Sequence, residues 1–221
     1  MKIKIALLIL TLLIIFTFVY RFYKIKTEKP SIITEWKIKV NSAKLSEQLY
    51  NSEKDIEKKE ELIYYYIQKL RVKDDYGEKS INEMPRLLRV IDLVNILEME
   101  VNNGGFLQFF TNPSGKYIPE TIESLNLIKA NFTRSLLERA IEIIKENDES
   151  INNLNKKLNR LKLYEIINDS DFFENEKLQS EMNELDMKYY GSTDNISKLK
   201  LEYFEKHQSE LWKQVGSTKI Q

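Results

Sequence analysis

Few residues in this chain are equipped for chemistry, and they cluster. Glu98 and Glu100 lie just before, and at the start of, the stretch EVNNGGFLQFFTNPSG, which runs from Glu100 to Gly115. Paired carboxylates can serve as general acid and general base, but residues at i and i+2 of a helix do not share a face. The single histidine, His207, is read as sitting near a helix end, where an imidazolium complements the C-terminal dipole. Gly104 and Gly105 do not make a phosphate loop, because no strand precedes them and no Gly-Lys-Ser/Thr follows. Cysteine is absent, which excludes disulfides, thiol catalysis and thiolate metal sites. No catalytic residue, metal ligand or cofactor is assigned, and the chain is expected not to be an enzyme.

The amides remain. Asn102, Asn103, Gln108 and Asn112 surround the glycine pair and the rings of Phe106, Phe109 and Phe110. Two readings stay open. In the first, the amides cap helix ends and satisfy backbone groups at a tight turn that the glycines permit. In the second, they line a small polar pocket beside the rings and read a peptide or a ligand by hydrogen bonds. The phenylalanines fall at i, i+3 and i+4, so one turn of helix drives all three into a core.

Helices must position these residues. With only 6 glycines and 4 prolines in 221 residues, breakers are rationed, and Leu, Ile, Lys and Glu dominate. From Asp55 to Arg71, Ile56, Leu62, Ile63, Tyr66, Ile67 and Leu70 recur near helical spacing. Pro85 opens a helix in which Leu87, Val90, Ile91, Val94, Leu97 and Val101 form an inward stripe, widened by Leu88, Leu93, Ile96 and Met99. Pro119 opens another, with Thr133 as the cap of its continuation through Ile144. The basic run NNLNKKLNRLKL, residues 152 to 163, reads as a solvated helix face. A hairpin closes the chain: Glu176 to Tyr190, Gly191 as C′ residue, then Asp194 capping a helix through His207.

The first thirty residues differ in kind. Ile5 to Tyr20, IALLILTLLIIFTFVY, carries no charge and is flanked by Arg21, Lys24 and Lys26 among aromatics, the composition of a membrane-spanning helix with its interfacial belt. A cleaved secretory signal is the competing reading; the large Phe18, Val19 and Tyr20 stand where a signal peptidase needs small residues. The balance of positive charge leans slightly toward a cytoplasmic body. The expected organisation is an anchor over 1–26, a tether and uncertain helix over 27–51, a helical domain over 52–210 and a tail over 211–221.

Charge narrows the partners. The chain has 34 basic and 34 acidic residues, but six bases and one acid fall in residues 1 to 30, leaving the body at net −5. A mildly acidic body lacks the basic footprint of a nucleic-acid binder, so no direct nucleic-acid binding is expected.

The pattern from Glu98 through Gly115, with NNGGF, Gln108 and Phe109-Phe110 at its centre, resembles a bacterial all-helical domain family of largely unknown function that includes a DNA-mimic protein. NELDMKYYGSTDNISKLKLEYFEKH, Asn183 to His207, is similar to that family's closing segment, through Leu185, Asp186, Tyr189, Tyr190 and Tyr203. The resemblance covers roughly Ser52 to Glu210. It implies an all-α fold and, for the named relative, carboxylates that imitate DNA phosphates. Glu181, Glu184, Asp186, Asp194, Glu202 and Glu205 are the candidates for such an acidic surface here. Residues 171 to 210 hold ten acids against five lysines, and each lysine cancels part of the field a basic partner reads.

The expectation is an all-α, multi-helix globular domain preceded by one N-terminal transmembrane helix. Its function is read as that of a membrane-tethered, non-enzymatic interaction domain for an unknown protein partner, with DNA mimicry as the acidic special case. An enzyme or small-ligand site at the NNGG turn, or a structural scaffold, are the alternatives.

Overall fold

The computed structural model describes residues 31–146 and 175–217. The segments 5–20 and 152–163 lie outside them, and among the described residues no helix is long and apolar enough to cross a membrane. The described residues are helical throughout, without strands. The chain divides after Ser42 into two compact units.

In the first unit, α1 (Ile32–Ser42) begins inside the stretch read as a tether. The Ser31 hydroxyl accepts from the Thr34 N–H at 3.2 Å and so fixes the helix start.

The second unit contains α2 (Glu47–Ser52), α3 (Ile56–Val72), α4 (Glu78–Asn82) and α5 (Arg86–Thr111). A 3₁₀ turn (Pro113–Tyr117) follows, then α6 (Ile118–Leu127), α7 (Asn131–Glu146), α8 (Glu176–Tyr190) and α9 (Ile196–Ser217). Long α5 is its spine, because it is apolar on nearly every side and each side has a different neighbour. Val94, Leu97 and Val101 join α6, α7 and α8 in the larger core cluster, which also takes Phe106, Phe109 and Phe110. Leu87, Leu88 and Ile91 join a second cluster with Ile63 and Ile67 of α3 and Phe204 of α9. Tyr50 seals that cluster, its ring 4.8 Å from that of Phe204.

Local signals set most boundaries. The Asp55 carboxylate accepts from Lys58 N–H and caps α3. Pro119 falls in the first turn of α6, where a missing N–H costs nothing. Other expectations need correction. Ile56 is 63% exposed, because it opens α3 ahead of the stripe formed by Ile63 and Ile67. Met99 is 62% exposed, on the wall of an open cleft beside α5. His207 lies in the middle of α9, against the Tyr203 ring at 4.7 Å, since the helix continues to Ser217. Gly191 has φ −91, outside the left-handed region.

Asp194 does not cap its own helix either. Asn195 does, accepting from Lys198 N–H at 3.0 Å. The Asp194 carboxylate instead accepts from Thr133 N–H at 2.8 Å, so it caps α7 from a distant part of the chain and replaces the local cap expected of Thr133, whose hydroxyl is buried.

Candidate functional site

α5 breaks at its glycine pair. Gly104 is extended at φ −162, which any residue adopts, whereas Gly105 has φ 75 and ψ −178, a region essentially reserved for glycine. Space makes the same demand. A Cβ on Gly105 would stand 2.6 Å from the carboxyl carbon of Asp186, and a Cβ on Gly104 would stand 3.0 Å from the amide carbon of Gln108. The two carbonyl-bearing side chains press on the kink from either side.

Each does so for a reason. Past the break, the Phe106 N–H has lost its helical acceptor, and it donates to Asp186 Oδ1 of α8 at 2.8 Å in a buried setting. Burial pushes the Asp186 pKa up, and the Phe106 N–H opposes that shift. Four positions beyond Asp186 on α8, the Tyr190 hydroxyl donates to the Val101 carbonyl at 2.9 Å, which ties the last turn before the kink to α8. Phe106, Phe109 and Phe110 are then fully buried, as their spacing requires.

Gln108 serves the other side. Its Nε2 donates to Glu100 Oε2 at 2.7 Å, and its Oε1 accepts from Asn103 Nδ2 at 3.1 Å. Asn112 Nδ2 donates to the same Glu100 oxygen at 2.7 Å, and the Ser114 hydroxyl donates to Glu100 Oε1 at 3.0 Å. Glu100 is thus a buried carboxylate held by three neutral donors and, among the described residues, by no cation. Glu98 points elsewhere: its Oε2 receives Lys200 Nζ of α9 at 2.6 Å. The pair divides between two faces of α5, as a spacing of two demands.

These residues border a cleft of about 770 Å³, within the range of ordinary ligand sites. Asn103, Gly104, Gln108 and Asn112 line it, whereas Asn102 is exposed outside it and the three phenylalanines back it from the core. Ile81, Ile96, Met99, Leu107 and Met182 make most of its wall apolar. Its charged members are Arg71, Glu78, Glu100, Lys116 and Asp186. Lys116 is ion-paired with Glu78. Arg71 Nη1 lies 3.7 Å from the Oδ2 of buried Asp92, an ion pair without a hydrogen bond. Burial pushes the Asp92 pKa up to about 6, with Arg71 opposing. Tyr117, in the same wall, is 8% exposed, and its hydroxyl has no hydrogen-bond partner among the described residues.

A family model described as DMP19-like protein matches residues 82–207, more than half of the chain. The chain belongs to the DMP19-like protein family. No curated protein and no solved structure matches it. The matched span of this DMP19-like chain includes the kink, Glu100, Lys116 and Asp186, and stops short of Arg71 and Glu78, which close the cleft from α3 and α4.

Arg71, Ser114, Tyr117 and Met182 were not singled out by sequence. For Arg71 a signal existed: it follows Ile63 and Ile67 at i+8 and i+4, a lone charge on an apolar stripe. Asp92, inside the run RVIDLVNIL, carried the same signal.

The acidic candidates do not gather. Asp186 is buried against Phe106 N–H, which removes it from any exposed acidic face, and Asp194 is bound to Thr133 N–H. Glu181 lies 4.0 Å from Lys177, Glu202 3.7 Å from Lys198 and Glu205 3.1 Å from Lys59. Glu184 is exposed. The i, i+4 lysines stand beside the carboxylates they screen.

Proposed function

We propose that this DMP19-like chain is a non-enzymatic interaction domain that holds a partner protein in the cleft beside the kink of α5. The cleft carries the reading: about 770 Å³ of mostly apolar wall, built by the residues that make the α5 break possible. A binding surface needs apolar area to displace water and a few fixed polar groups to set orientation, and Glu100 with its amides supplies the latter. Rigid support from α8 through Asp186 and Tyr190 keeps those groups in place without a partner.

Family membership favours a second reading, in which the acidic residues of α8 and α9 engage a basic DNA-binding protein as DNA would. The lysines interleaved among those carboxylates weaken the field this requires. We further place the domain at a membrane through residues 5–20, on the strength of that uncharged run and its basic, aromatic flank. Resistance of the protein to extraction from membranes by alkaline carbonate is the expected result, and release into the soluble fraction would remove the anchor.

The test of function compares two variants in partner capture from the protein's own cells, using the full-length tagged chain in mild detergent. Met99→Trp fills the cleft from an exposed position, and Glu181→Gln with Glu184→Gln and Glu202→Gln neutralises the acidic helices. Loss of the captured protein with the first variant and retention with the second is the expected result. The reverse pattern would discard the cleft in favour of the acidic face.

A further inference from the structure

The charges of the cleft do not balance. Lys116 is held by Glu78, and Arg71 lies 3.7 Å from Asp92 with its Nη2 on the Tyr76 carbonyl, so each cation already has a counter-charge. Glu100 and Asp186 form no ion pair with any described residue: Glu100 is 7% exposed and bonded only to neutral donors, and Asp186 is 9% exposed and bonded to a backbone N–H. Two desolvated carboxylates without a counter-charge are costly unless something positive joins them. They lie about the same glycine pair, Asp186 against Gly105 and the Gln108 amide that holds Glu100 against Gly104. The hydroxyl of Tyr117, buried and unbonded in the same wall, adds an acceptor with no other task. The remaining wall, with Ile96, Met99 and Leu107, suits a methylene stem.

We propose that the cleft receives a basic side chain of the partner protein, an alkylammonium or guanidinium whose apolar stem packs on Met99 and Leu107 while its charge meets Glu100 and Asp186. This rests on the reading of the cleft as the partner site and adds the chemistry it selects. A cleft of about 770 Å³ also admits the residues flanking that side chain. The anionic alternative, a carboxylate seeking Arg71 and Lys116, would have to compete with Asp92 and Glu78 for them, whereas a cation meets two carboxylates that have no counter-charge among the described residues.

Ligand-observed saturation-transfer NMR on the full-length chain decides between them. The probes are Nα-acetyl-lysine methylamide, the uncharged Nα-acetyl-norleucine methylamide and Nα-acetyl-glutamate methylamide. The lysine probe should bind at least tenfold more tightly than the norleucine probe, and the glutamate probe should give no signal. Glu100→Gln and Asp186→Asn should each reduce lysine binding about tenfold and leave norleucine binding unchanged, and Met99→Trp should abolish both. Equal binding of lysine and norleucine, or preference for glutamate, would overturn the inference. That comparison is made on the unaltered chain, so it stands even where a carboxylate variant fails to fold. If Met99→Trp abolishes partner capture while lysine shows no preference, the charge inference alone fails. If lysine is preferred but Met99→Trp leaves partner capture intact, the source of the cation is not the partner protein.

Discussion

Gly105→Ala tests the architecture on which the cleft depends. Two costs add. The first is backbone strain: φ 75 with ψ −178 is a region that side-chain-bearing residues avoid, at about 1–3 kcal/mol. The second is the collision of the new methyl with the Asp186 carboxyl, which must withdraw and release the Phe106 N–H. A buried hydrogen bond to a charged acceptor contributes about 1.5–3 kcal/mol. Together the substitution should cost about 3–5 kcal/mol, a large part of the ~5–15 kcal/mol that holds a typical domain. Gly104→Ala is the control. Its backbone at φ −162 suits alanine, and the obstruction is the Gln108 side chain, whose withdrawal loosens its bonds to Asn103 and Glu100, so about 1–2 kcal/mol is expected. Urea unfolding of the full-length chain, followed by far-ultraviolet circular dichroism, measures both. Asp186→Ala removes the collision and the bond at once, so Gly105→Ala with Asp186→Ala should cost at least 1 kcal/mol less than the sum of the single effects, roughly the scale of contact coupling. A loss below about 1 kcal/mol for Gly105→Ala, or one no greater than for Gly104→Ala, would refute the reasoning.

Other perturbations test other joints. Gln108→Ala leaves Glu100 without one of its three donors and Asn103 without its acceptor, and should lower stability by about 1–3 kcal/mol in the same unfolding assay. Asp194→Ala removes the cap that α7 receives across the chain, with an expected loss of about 0.5–2 kcal/mol and faster amide exchange in the first turn of α7. Asp92 gives a pH dependence. Its folded pKa is raised from 3.8 to about 6, so between those values the folded chain holds a proton that the unfolded chain has released. Stability therefore falls as pH rises through that window and levels off above it. Relative to Asp92→Asn, the wild-type chain should lose on the order of 2 kcal/mol between pH 4 and pH 7 in paired urea melts, and a parallel pair of curves would refute the burial effect.

Sequence alone determined the helical class, because scarce glycine and proline and apolar spacing near 3.6 leave little else for the described residues to form. It also determined that Phe106, Phe109 and Phe110 share one buried face and that a break falls at Gly104 and Gly105, since both follow from a few neighbouring residues. Separation of Glu98 from Glu100 was legible for the same reason: two residues turn a helix by about 200°. What each of them meets was not. Lys200 comes to Glu98 from 102 positions along the chain, and Asp186 reaches Phe106 from 80 positions away. Contacts of that range depend on how helices pack, which no local pattern encodes. Tertiary structure alone therefore decided that Asp186 and Asp194 are tied to backbone N–H groups of distant helices. It alone brought Arg71 of α3, Lys116 of the 3₁₀ turn and Met182 of α8 to one cleft. Helix ends and turns are short-range chemistry, whereas a cleft belongs to the helices that meet around it.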